Sequence, residues 1–153
     1  MSSLIDTEVL NNHVNLADNQ VIQPIKEISG GINVSQFSKR ISDSLVMYQI
    51  IRYPDRCLFI WIGTNGDMSL SNLAMTMPSM VPLSTSNNTN NLIGTTLFGG
   101  DFYEHSLSLS KKLTRRLNKQ VYVSLNLPDE NELLLREIES ALIEHIRQNP
   151  DAY

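Results

Sequence analysis

Polar and apolar residues alternate most cleanly at Asn118–Leu127, NKQVYVSLNL, where Val121, Val123, Leu125 and Leu127 are separated by Tyr122, Ser124 and Asn126. A period of two with β-branched and aromatic residues predicts a half-buried strand. A helical pattern flanks it on each side. Ser106, Leu109, Leu113 and Leu117 continue a stripe from Phe102, with Asp101 as the expected N-cap, and Leu135, Ile138, Leu142 and Ile146 form a second stripe. In the second helix Asp129 is the expected cap, with Glu132 three residues on, and Asn149-Pro150 is the stop. A strand between two amphipathic helices implies a sheet whose apolar face receives both of them.

The upstream pattern supplies the other strands. Ile32–Ile41 alternates from Ile32 and Val34 onward, and its Lys39-Arg40 pair suits a position near an edge. Ser44–Tyr53 follows a Ser42-Asp43 turn, and Arg56–Ile62 returns after Pro54-Asp55, which predicts a hairpin. Leu70–Met77 and Val81–Ser86 are expected as two further short strands. Leu73–Met77 also suits a helix, and Pro82 confines the second strand to an edge or a bulge. Asn87–Gly100, rich in Asn and Gly, is expected as a long loop. Met1–Gly31 sustains neither period and is expected to be a largely disordered extension, with Pro24 and Gly30-Gly31 marking the start of a domain over residues 32–153. The expected fold is α+β: an antiparallel sheet of about six strands flanked by two main helices.

Leu58-Phe59-Ile60-Trp61-Ile62 places five apolar side chains in succession. Neighbours in a strand point to opposite faces, so both faces need cover here. Two helices account for one face. A second sheet stacked on the other is the expected solution, hence a homo- or heteromeric dimer. Loops and the N-terminal extension covering that face within one chain are the alternative.

Composition narrows the possible chemistry. At 153 residues a single domain is expected, large enough to need no staple. The net charge of −4 weighs against a dedicated nucleic-acid binder. One cysteine, Cys57, excludes an internal disulfide and a multi-cysteine zinc site, and fits a reducing compartment, cytosol or nucleus. Neither a secretory signal pattern nor an apolar run long enough for a membrane span is present. No nucleophile elbow, phosphate loop, metal-binding pair or paired-carboxylate motif stands out. His13, His105 and His145 lack ligand spacing and are expected at the surface. Cys57 is expected to be an inert core thiol. A small enzyme using Cys57, Ser84 or Thr85 is the rival that a reactive-thiol probe would expose. Lys111, Lys112, Arg115, Arg116 and Lys119 make a basic helix end that complements the helix dipole. The same cluster could dock an acidic protein partner.

From Ile32 to Tyr153 the chain resembles the proteasome assembly chaperone 4 family. The resemblance is carried by Val34-Ser35, Phe37-Ser38, LFIWIG at Leu58–Gly63, NLAMTM at Asn72–Met77 and VPLSTS at Val81–Ser86. NKQVYVSLNL at Asn118–Leu127 and the ending Asn149–Tyr153 complete it. It implies a non-enzymatic chaperone without cofactor, paired as a heterodimer with a proteasome assembly chaperone 3-like protein. That pair would bind α-type subunits and promote assembly of the core-particle α-ring. A partner face is expected at Tyr48, Ile50, Phe59, Trp61 and Tyr122. A ring contact is expected at the loop Ser86–Gly100 and at Lys111, Lys112, Arg115 and Arg116. A small dimeric adaptor of the roadblock or longin kind is the alternative.

Overall fold

The structure is a computed structural model that describes residues 30–54, 57–64, 68–80, 91–99, 104–128 and 131–153, together with the backbone of three short strands nearer the N-terminus. In chain order the elements are β1 (His13–Asn15), β2 (Gln20–Ile22), β3 (Lys26–Ile28), β4 (Ile32–Ile41), β5 (Ser44–Tyr53), β6 (Cys57–Thr64), β7 (Leu73–Pro78) and β8 (Leu92–Phe98). They continue with α1 (Glu104–Leu117), β9 (Gln120–Asn126), α2 (Glu132–Gln148) and a 3₁₀ turn at Pro150–Ala152. The strands form one sheet in the order β1-β2-β4-β5-β6-β9-β7-β8, with β3 beside the first residues of β4.

The sheet is mostly antiparallel, as the alternation predicts, and both main helices are present. One pairing departs from that rule. β9 runs parallel to β6, from Cys57↔Gln120 to Gly63↔Asn126. Parallel neighbours require a crossover, and here β7, β8 and α1 intervene along the chain.

Local sequence explains most element ends. Ser42, at φ 52°, makes the two-residue turn that pairs Ile41 with Ser44. Asn118, at φ 51°, closes α1 in the left-handed conformation that asparagine tolerates, its N–H bonded to Thr114 O. The cap of α2 is Asn131, whose side chain accepts from Leu133 N at 2.9 Å, so the helix starts two residues later than the Asp129 reading places it. Asp129 itself, Asp101 and Phe102 lie outside the described residues.

One sequence expectation is corrected. Within Asn87–Gly100, Leu92–Phe98 is a strand antiparallel to β7. Its tertiary neighbour outweighs the glycine and polar residues that suggest a loop. Within Met1–Gly31, three three-residue strands pair onto one another or onto β4. Segments that short carry no readable period. The expected strand Val81–Ser86 lies outside the described residues.

Both helices pack on one face of the sheet. Phe37, Val46, Tyr48, Ile50, Leu58, Ile60, Ile62, Val121 and Val123 form a buried layer with Leu109 and Leu113 of α1 and Ile138, Leu142 and Ile146 of α2. At the β7–α1 contact the layer turns polar. The hydroxyls of Thr76 and Ser110 lie 2.7 Å apart, and Thr114 Oγ1 donates to Thr76 O at 3.0 Å. Farther along, the side-chain amide of Asn72 bonds the peptide of Leu125 in both directions, and Ser106 Oγ donates to it. Just before β7 begins, this amide takes over the bonds to β9 that a strand backbone would make.

Candidate protein-interaction surface

Among the described residues, no helix packs on the opposite face. Side chains that are direct cross-strand partners share a face, and the register therefore assembles an uncovered row. It runs Val34–Ile51–Phe59–Tyr122–Met75 across five strands. A parallel row is Gln36–Gln49–Trp61–Ser124. Val34, Ile51, Phe59, Tyr122 and Met75 are all half-buried. A shallow pocket of about 180 Å³ opens on this side among Gln36, Ser38, Leu45, Met47, Gln49, Trp61 and Met68.

Of the five residues expected to face a partner, Phe59, Trp61 and Tyr122 lie on the open face. Tyr48 and Ile50 do not. Both are buried under the helices, and Tyr48 Oη donates to Ile138 O at 3.3 Å. Their places on the open face are taken by Met47, Gln49 and Ile51. The cause is the turn after β5. It makes Tyr53 the partner of Cys57, so odd-numbered residues of β5 share a face with odd-numbered residues of β6. Counting the turn residues would have revealed this. Hydrophobicity could not, because both sets of β5 residues contain apolar side chains.

Trp61 is only 7% exposed although it sits on the uncovered side. Its indole lies over Gly63, where an added Cβ would fall 2.5 Å from two ring carbons. Its N–H donates to Ser69 O at 2.9 Å. The glycine of LFIWIG thus makes room for the tryptophan, and the segment before β7 holds it flat. Trp61 belongs to the floor of the open face, while Phe59 and Tyr122 remain partly in solvent.

The four basic residues expected at a ring contact are all exposed on α1. Lys112 is turned toward α2, with Nζ 2.7 Å from Glu139 Oε2. Lys111 lies on the other side of the helix, its stem near Gly94 of β8. Between the helices, Leu109, Leu125, Leu135 and Ile138 floor a groove of about 240 Å³, rimmed by His105, Lys112, Arg136 and Glu139.

Titratable groups add a correction and little chemistry. His145, expected at the surface, is 2% exposed. It stacks on Phe37 with ring centroids 3.9 Å apart, and Phe37 stacks on Tyr48 at 4.3 Å. Its Nε2 lies 2.9 Å from Tyr153 Oη and 3.4 Å from Ser35 Oγ, while Nδ1 is without a partner. Burial pushes its pKa down to about 4. The histidine is a neutral core residue that ties Tyr153 to the sheet. Burial also pushes the Cys57 thiol up, which disfavours the thiolate a nucleophile needs. Among the described residues no group of three or more His, Cys, Asp or Glu side chains is placed to hold a metal, and no helix is long and apolar enough to cross a membrane.

A mostly antiparallel sheet with two helices on one face and, among the described residues, an uncovered apolar row on the other defines an α+β protein. Known proteins specify which kind. The family described as Proteasome assembly chaperone 4 matches residues 45–127. The human protein of that name is 31% identical over 127 residues, covering 81% of this chain and 93% of the human one. The mouse protein is 30% identical over 125 residues, covering 80% and 91%. A chain of a solved complex described as a novel chaperone complex for yeast 20S proteasome assembly shares the fold, with TM-score 0.54 and 15% identity over 78% of this chain and 95% of that one. The chain belongs to the proteasome assembly chaperone 4 family.

Proposed function

We propose that the protein is a non-enzymatic chaperone of proteasome core-particle assembly, working as a heterodimer with a proteasome assembly chaperone 3-like partner. The pair binds α-type subunits and promotes α-ring formation, in the cytoplasm and the nucleus. Membership of the family supports the assembly role. The observation that carries the pairing is the uncovered row Val34–Ile51–Phe59–Tyr122–Met75. A sheet face of this apolar character is ordinarily buried against a second layer. The partner sheet stacks there, with Phe59 and Tyr122 as its central contacts. The exposed basic side of α1, at Lys111, Arg115 and Arg116, is left for the α subunits. A polar contact of that kind suits an association that must later be released.

The test is affinity capture of the tagged chain from its own cells, with mass spectrometry of what it retains. A second small chaperone and α-type subunits, without mature proteolytic particles, are expected. Phe59→Asp, placed in the half-buried row, should lose the small chaperone while keeping its circular dichroism spectrum. A wild-type chain recovered alone and monomeric, or a Phe59→Asp chain that keeps its partner, would refute the sheet-stacking reading.

A further inference from the structure

The two ends of the sheet are finished differently. At one end, β1, β2 and β3 are three residues each, and very short edge strands are a common guard against unwanted pairing. At the other end stands β8, seven residues long, LIGTTLF, with no charge and no proline. Its one strand neighbour among the described residues is β7. Ile93 is 50% exposed, Leu97 48% and Phe98 41%. β8 itself carries no charge or proline, and among the described residues no further strand pairs with its outer side.

Helix α1 gives the edge an electrostatic character. Contacts of Ser106 with Asn72, and of Ser110 and Thr114 with Thr76, show that α1 runs along β7 in the same direction. The next row of the helix, Leu107–Lys111–Arg115 at four-residue spacing, therefore overhangs β8. Leu107 Cδ1 and Lys111 Cε lie 3.1 and 3.3 Å from where a Cβ on Gly94 would be. An added strand would lie about 4.8 Å beyond β8, within reach of the Lys111 ammonium. Pairing with β7 sends Gly94 and Thr96 toward the helices and Ile93 and Thr95 toward the open face.

We infer that the outer edge of β8 accepts an extended segment of a partner protein by strand addition. Its side chains on the helix side are acidic, and those beside Ile93 and Thr95 are apolar. Main-chain hydrogen bonds supply affinity and alternate side chains supply selectivity. The inference does not rest on the assembly role, since it concerns the chemistry of one edge.

The test uses the full-length protein and two labelled ten-residue peptides, one alternating valine with glutamate, the other valine with lysine. Fluorescence anisotropy should show the glutamate peptide binding at least tenfold more tightly. Amide exchange across Leu92–Phe98 should slow when it binds. Reversing both charges, Lys111→Glu with Arg115→Glu, should invert the preference between the peptides, and Ile93→Lys should weaken binding at least tenfold. These three side chains are exposed, so the variants should fold as the wild type does. Equal binding of both peptides, absence of binding, protection confined to other strands, or an unchanged preference in the double variant would overturn the proposal.

Discussion

His145 should make the fold acid-sensitive well above the range in which carboxylates titrate. In the folded chain it is enclosed by Phe37, Tyr153 and Ser35, and its pKa is depressed to about 4. In the unfolded chain a histidine titrates near ~6.5. As pH falls through that value the unfolded chain takes up a proton that the folded chain refuses until about pH 4. The contribution of neutral His145 is therefore intact above the unfolded pKa and is lost between the two values. Linkage gives a loss of about 2 kcal/mol between pH 7 and pH 5, approaching ~3 kcal/mol near pH 4. The matched variant is His145→Phe, which keeps a ring against Phe37 and has no proton to gain. Urea denaturation followed by the emission of Trp61, the one tryptophan, measures stability of both chains at pH 7 and pH 5. The variant starts from a different stability because the contact with Tyr153 is gone, so only the change with pH is compared. Wild type should lose about 2 kcal/mol more than the variant over this interval. Equal losses would show that His145 is protonated in the fold, and the argument from burial would fail.

Other outcomes follow from the same contacts. Gly63→Ala should cost about 1–3 kcal/mol by overpacking, with a red-shifted Trp61 emission as the indole leaves Ser69 O; unchanged emission would contradict the close approach. Asn72→Ala removes the side-chain amide that bridges to the Leu125 peptide and should destabilise by about 2–3 kcal/mol in urea melts. Lys112→Ala should change stability by less than about 1 kcal/mol, because the ion pair with Glu139 is partly solvated.

Alternation in the sequence was enough to place β4 and β9, apolar runs bounded by turn residues placed β5 and β6, and helical stripes placed α1 and α2, because those patterns come from backbone geometry that every residue shares. The turns at Ser42-Asp43 and after Tyr53 made the hairpins legible for the same local reason. The LFIWIG and NKQVYVSLNL segments likewise carried the family resemblance in their own residues. What the tertiary structure alone decided depends on which surfaces meet. Tyr48 and Ile50 went under the helices and Ile51 and Met47 to the open side because the register of β5 against β6 slips every side chain together. Leu92–Phe98 became a strand because β7 offered it a ladder, although its own residues suggested a loop. His145 entered the core because Phe37 and Ser35, distant along the chain, close around it together with the chain's last residue, Tyr153. Periodicity is written locally and is readable. Facing, pairing and burial arise from contacts between distant segments, which no local pattern contains.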